Sequence, residues 1–202
     1  MAAPVINEFD PLTTFAGAWT TSLAEQYLPL PGDPHRKYEC VDGRLYMSPA
    51  EGFDNGFVQM MIGRIMGDAA EDADMLIVGQ VNLTFAHNRW IVPDALVVSS
   101  APAPGKQRIW VPAEHGVMPI EIVSPSSRDR DYFDKPAICA AAGVPYFMQI
   151  AVEHSMGPVT VTLHRLRRRG RPVLIAGAQS GETFTMEEPF PLTFDPARFL
   201  AP

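Results

Sequence analysis

The segment Trp90-Ile-Val-Pro-Asp-Ala-Leu-Val-Val98 is apolar apart from one carboxylate, Asp94, and Met118-Pro-Ile-Glu-Ile-Val123 repeats the pattern with Glu121. Short runs rich in β-branched residues and ended by turn formers, here Ser124-Pro125, read as strands of a core sheet. A carboxylate inside such a strand is costly to bury unless it is paired or bound to a cation. Two of them in one sheet invite a metal. Hard divalent cations take oxygen ligands, usually one or two carboxylates completed by water and phosphate oxygens. Asp94 and Glu121 therefore suit Mg²⁺, or Mn²⁺ in its place, and the backbone carbonyl of Ile122 offers a third oxygen. The same two side chains read equally as core carboxylates satisfied by structural partners, because structural pairs also perturb buried acids.

Working outward, Lys37–Val41 and Arg44–Met47 flank Asp42-Gly43, a two-residue signal for a type I′ hairpin. Phe57, Met60, Met61, Ile65 and Met66 fall at helical spacing between Asp54 and about Ala73, with Asp54 or Asn55 as N-cap and the methionines expected in the core. Met75–Phe85 and Trp90–Val98 read as an antiparallel pair joined by Ala86-His-Asn-Arg89. Asp134 is placed to cap a short helix with Pro136 in its first turn and Gly143 at its end. Tyr146–Ala151, Val159–Leu166 and Pro172–Ala176 complete the strands. The order implies an α/β (α+β) layered domain, a mixed sheet flanked by helices with an N-terminal β-hairpin. The Pro29-Leu-Pro-Gly-Asp-Pro34 breaker separates an N-terminal appendage, 1–34, from a main domain, 35–202.

The 202 residues, 47% hydrophobic and 19% charged, support one ordinary core and exclude a disordered or fibrous chain. A net charge of −7 argues against non-specific coating of nucleic acid or anionic membrane. The two cysteines, Cys40 and Cys139, have no metal or redox spacing and fit a reduced, cytoplasmic setting. No run reaches transmembrane length and the N-terminus has no signal-peptide pattern, so a soluble, unexported protein is expected. Phosphate-loop, dinucleotide, serine-hydrolase and zincin motifs are missing. Asp131 and Lys135 lie four apart among Arg128, Asp129, Arg130 and Asp134, which by spacing alone is a solvated helix start. Arg165, Arg167, Arg168, Arg169 and Arg171 form a basic hairpin tip, readable as a solvated end or as a phosphate clamp.

Taken in order, Tyr38-Glu-x-Val-Asp-Gly-x-Leu-Tyr-Met-Ser-Pro49, Val92-Pro-Asp94, Ile120-Glu-Ile-Val-Ser-Pro-Ser-Ser127, Asp131-x-x-x-Lys135 and Ala142-Gly-Val-Pro145 resemble the Uma family of restriction endonucleases, within the PD-(D/E)xK nuclease superfamily. The resemblance spans about Arg36 to Leu200. It implies a restriction endonuclease-like fold and Mg²⁺-dependent hydrolysis of DNA phosphodiester bonds. It implies that Asp94 and Glu121 ligate the metal and that Glu39 supports it or its water. It implies that the lysine normally two residues after the glutamate, where Val123 stands, has moved to Lys135, and that Asp131 orients that lysine or the metal shell. Arg128, Arg130, Arg167, Arg168 and Arg169 are the expected DNA contacts, and cutting both strands favours a homodimer. Positions around these residues depart from the family: Asn55 stands where a histidine is common, Cys139 where a tyrosine is usual. The competing expectation is a catalytically inactive nuclease-fold module used for binding or assembly.

Overall fold

The computed structural model of the chain describes residues 9–32, 36–48, 52–99, 109–125, 127–152 and 157–200. In chain order they form α1 (Pro11–Thr14), α2 (Thr21–Tyr27), β1 (Tyr38–Val41), β2 (Arg44–Met47), α3 (Phe53–Glu71), β3 (Leu76–Val78), β4 (Asn82–Ala86), β5 (Arg89–Ile91), β6 (Ala95–Val98), β7 (Trp110–Pro112), β8 (Gly116–Val123), α4 (Lys135–Ala142), β9 (Tyr146–Val152), β10 (Val159–Arg165), β11 (Val173–Gln179), β12 (Phe184–Met186) and β13 (Leu192–Phe194). A π-helical segment, Arg130–Asp134, runs directly into α4. Two compact units result, one within Met1–Ala50 and Ala86–Trp90, the other within Glu51–Phe85 and Ile91–Pro202.

In the first unit, Asp42 and Gly43 both have positive φ, 53° and 79°, as the type I′ turn requires, and Val41 pairs with Arg44 across it. A Cβ at Gly43 would lie 2.4 Å from the Gly17 carbonyl oxygen, so only glycine fits there. The Trp19 N–H donates to the Gly43 carbonyl at 3.0 Å, tying the N-terminal helices to the hairpin they precede. α2 starts at Thr20, whose hydroxyl accepts the Leu23 N–H. Cys40 faces Trp90 across β1 and β5, and burial pushes its thiol up to about 11, so it stays protonated at neutral pH.

The second unit is built on a six-stranded sheet of order β11-β10-β9-β8-β6-β3. β8 and β9 are parallel, and the other neighbours are antiparallel. Side chains alternate between the two faces of a strand. Ala95, Val97, Ile120, Ile122, Met148 and Ile150 share one core cluster with Val58, Ile62, Ile65 and Met66 of α3. Leu96, Val98 and Phe147 point the other way and cluster with Cys139 and Ala140 of α4. The sheet therefore lies between α3 and α4, and the mixed α/β architecture expected from the strand order is the one observed.

Several local expectations are corrected. Met75–Phe85 is two strands: β3 pairs with β6 in the large sheet, whereas β4 runs parallel to β7. Met60 is 79% exposed, because α3 buries Val58, Ile62, Ile65, Met66 and Ala70 and turns Met60 outward. Gly52 rather than Asp54 or Asn55 occupies the N-cap of α3. Asp134 makes no side-chain cap; the π segment delivers the chain into α4 instead.

Gly143 ends α4 in the left-handed region, φ 89°. A Cβ there would sit 3.0 Å from Nε and Nη2 of Arg168, whose guanidinium lies at the negative end of the helix. Arg168 is flexible and moves at little cost, so the backbone strain dominates. Gly143→Ala is expected to lower stability by about 1–2 kcal/mol, read as a lower urea midpoint at unchanged slope. An unchanged midpoint would contradict the assignment.

Candidate active site

Alternation along the strands decides which face carries the acids. Asp94 is in phase with Leu96 and Val98, and Gln149 with Phe147, so both point to the α4 face. Glu121 is the register partner of Gln149 on the parallel β8–β9 pair. Ala95 pairs with Ile120, so Asp94 stands at the end of β6 beside Glu121. There its Oδ2 accepts the Ile122 N–H at 2.7 Å, while its own carbonyl accepts from Nε2 of Gln59 on α3 at 2.7 Å. Side chain and backbone of Asp94 are thus both tied down within the second unit.

The crossover from β8 to β9 supplies the opposite charge. Lys135 Nζ lies 2.8 Å from Glu121 Oε2 and 2.9 Å from Asp131 Oδ1. Asp94, Glu121, Asp131 and Lys135 are 3, 2, 1 and 6% exposed, so this ion-paired group is shielded from bulk water. The spacing of Asp131 and Lys135 alone had allowed a solvated helix start; burial excludes that. Among the described residues of this unit, the buried carboxylates outnumber the buried cation by two. An excess of buried negative charge is costly until a cation or a proton joins it.

The remaining expected site residues are distributed as follows. Glu39 is buried on β1, in the first unit. Arg128 is exposed, with its guanidinium 5.6 Å from the centre of the Tyr132 ring. Both line a cleft of about 500 Å³ at the carboxyl ends of β8 and β9, together with Asp54, Asn55, Ser124 and Thr160. Open α/β sheets hold ligands at such strand ends. Arg130 lies in the π segment, half-buried. Arg167, Arg168 and Arg169 are exposed between β10 and β11. Arg165 is ion-paired with Glu188, to which Tyr146 Oη also donates at 2.9 Å; that hydrogen bond and then the arginine hold the Glu188 carboxyl below its usual range. Burial lowers the His164 imidazole below its ordinary value, which keeps it neutral near pH 7.

Sequence reasoning missed Gln149 and Gln59. Gln149 is 3% exposed, donates from Nε2 to the Asp131 carbonyl at 2.9 Å and accepts from Thr162 Oγ1 at 3.1 Å. The signal was present, since an amide inside Tyr-Phe-Met-Gln-Ile-Ala-Val152 is as anomalous as Glu121 in β8. A search directed at ionisable groups passes over it.

The donor set bears on whether a cation fits. Among the described residues no three His, Cys, Asp or Glu side chains are grouped to hold a metal ion. A cation beside Asp94 and Glu121 would take its other ligands from water, backbone or substrate, which is the habit of Mg²⁺ rather than of a structural zinc. The residues present fit that ion.

A mixed sheet flanked by helices, with α4 in the crossover between its parallel strands β8 and β9, defines a mixed α/β fold. Similarity to a crystal structure titled a "putative nuclease belonging to DUF820", from Anabaena variabilis ATCC 29413, supports this class: TM-score 0.61 and 17% identity over 87% of this chain and 95% of that one. Residues 24–198 match the model of the Uma2 family, described as "Putative restriction endonuclease", and the chain belongs to that family. Among curated proteins none matches. Family membership supports a nuclease function acting on nucleic acid, and among the described residues no helix is long and apolar enough to cross a membrane.

Proposed function

We propose that the protein is a Mg²⁺-dependent endonuclease that hydrolyses DNA phosphodiester bonds at a PD-(D/E)xK-type site whose lysine stands on the crossover helix. The observation that carries this reading is the water-shielded Asp94–Glu121–Lys135–Asp131 group, with more buried negative than positive charge on one face of the sheet. Asp94, Glu121 and the Ile122 carbonyl would hold the ion, and Mn²⁺ could take its place. When bound, it would supply Lewis-acid activation of water and offset charge on the phosphate. Lys135 contributes a fixed positive charge and hydrogen-bond donors toward the attacking oxygen and the phosphate oxygens, where charge grows in the transition state. The Asp131 carboxylate, 2.9 Å from the same ammonium, forms a second ion pair with it, so the charge is held in place before substrate arrives.

Arg128 and Arg130 contact the DNA backbone near the reacting phosphate, and Arg167, Arg168 and Arg169 contact it farther out. The net charge of −7 limits affinity for DNA outside the site. A cytoplasmic homodimer places two such sites on opposite strands.

Calorimetric titration with MgCl₂ or MnCl₂, run beside supercoiled-plasmid cleavage with and without chelator, tests the reading. The expected result is saturable binding that is lost in Glu121→Gln, with cleavage abolished by the chelator. Absence of both binding and cleavage would instead favour an inactive nuclease-fold module for binding or assembly.

A further inference from the structure

We propose that Gln149, anchored by Thr162, is the positioning residue that sets where Lys135 stands; the inference rests on Lys135 acting in the proposed hydrolysis. A buried primary amide is costly unless both of its ends are bonded. Here both ends are used: Nε2 donates to the Asp131 carbonyl at 2.9 Å, and Oε1 accepts from Thr162 Oγ1 at 3.1 Å. The Asp131 carbonyl belongs to the π-helical segment, a wide turn whose backbone bonding departs from the regular helix and which occurs often at functional sites. Holding that carbonyl restrains the backbone of Asp131 and so the point from which its carboxylate is presented. That carboxylate holds Lys135 at 2.9 Å, and Lys135 reaches Glu121 at 2.8 Å. Glu121 is in turn the register neighbour of Gln149. The path Thr162, Gln149, Asp131, Lys135, Glu121 thus closes on itself across β8, β9 and β10. It ties the crossover segment, the one part of the site not built on the sheet, to a rigid strand.

The amide is the group this place requires. A glutamate would set a second negative charge beside Glu121 and face the Asp131 carbonyl with an acceptor. A methionine fills the same volume and bonds to neither end. A satisfied buried polar network specifies geometry beyond its pairwise energies, and groups that orient the ligands of a metal site typically cost ~10–100-fold in affinity or activity when removed, which sets the scale for a group that orients Lys135 beside Glu121.

The test uses the full chain carrying Gln149→Met or Thr162→Val, each checked by circular dichroism and thermal unfolding. With MgCl₂ and plasmid DNA, Gln149→Met is expected to lower kcat by ~10–100-fold at a KM within about twofold of the parent, with a smaller fall of the same kind in Thr162→Val. The chain has only three lysines, Lys37, Lys106 and Lys135, so amine acetylation followed by mass spectrometry gives a second readout with two internal references. Lys135 should become more reactive relative to the other two in Gln149→Met. Unchanged kcat, a loss confined to KM, or unchanged labelling of Lys135 would overturn the proposal. If the parent chain cleaves no DNA, the hydrolytic reading fails, and the labelling alone decides whether Gln149 positions Lys135. Should Gln149→Met not fold, Thr162→Val carries both measurements.

Discussion

Asp94→Asn is expected to reduce Mg²⁺-stimulated plasmid cleavage by about 10²–10³-fold or more while leaving the fold intact. The argument turns on which of the two properties of Asp94 the substitution removes. Its Oδ2 accepts the buried Ile122 N–H at 2.7 Å, a structural bond that an asparagine side-chain oxygen can still accept. What asparagine cannot supply is the negative charge beside Glu121. Asp94→Ala removes both. It leaves a buried N–H without that acceptor, which costs about 1–3 kcal/mol, so alanine should lose stability as well as cleavage. The comparison separates the roles: a melting temperature for Asp94→Asn no lower than the parent's, a lower one for Asp94→Ala, and cleavage lost in both. Plasmid relaxation at the parental rate by Asp94→Asn would sink the assignment of this carboxylate to the cation.

The strands were legible for two different reasons. Gly116–Val123 and Tyr146–Val152, covered on both faces, are near-continuous apolar runs, whereas Val159–Arg165 alternates buried with more exposed residues. The hairpin at Asp42-Gly43 was legible because two positive-φ positions in succession restrict the residue types. The split of Met75–Phe85 was less so. Both halves are β-rich, and only Gly79-Gln80 marks the place where the chain leaves one sheet partner for another. The π segment has no period of its own over Arg130–Asp134, so it read as part of a capped helix.

At the site, Asp94 and Glu121 were visible as carboxylates in apolar runs, since burial makes such residues conspicuous. Lys135 was not visible in that way. It lies 14 residues from Glu121 on a different element, and its flanking charges imitate a solvated helix start. Only the family pattern connected the two in sequence, and only the parallel crossover brings Nζ to the carboxylate. Gln149 stayed hidden for a chemical reason: it carries no charge, yet its register opposite Glu121 makes it part of the same network.

Lys135→Met is expected to be strongly destabilising. The side chain is 6% exposed and ion-paired with two carboxylates that are 2% and 1% exposed. Methionine keeps most of the volume, so cavity formation contributes little. The cost is electrostatic: removing one partner of a buried pair leaves uncompensated charge and typically costs about 3–5 kcal/mol. For a chain of this size each kcal/mol moves Tm by roughly 2–4 °C, giving a fall of roughly 6–20 °C in a thermal scan. Two further measurements show whether charge rather than packing is responsible. Glu121→Gln added to Lys135→Met should recover part of the loss, because it removes one of the two stranded charges; a packing defect would leave the double variant no better than the single one. Millimolar MgCl₂ should raise the Tm of Lys135→Met more than that of the parent. A ligand stabilises the state that binds it better, and Glu121 without its ammonium partner has more negative charge to offer a divalent ion. Equal shifts in the two proteins would mean that the lysine and the cation do not share Glu121, and the ion would then have to be sought away from this carboxylate.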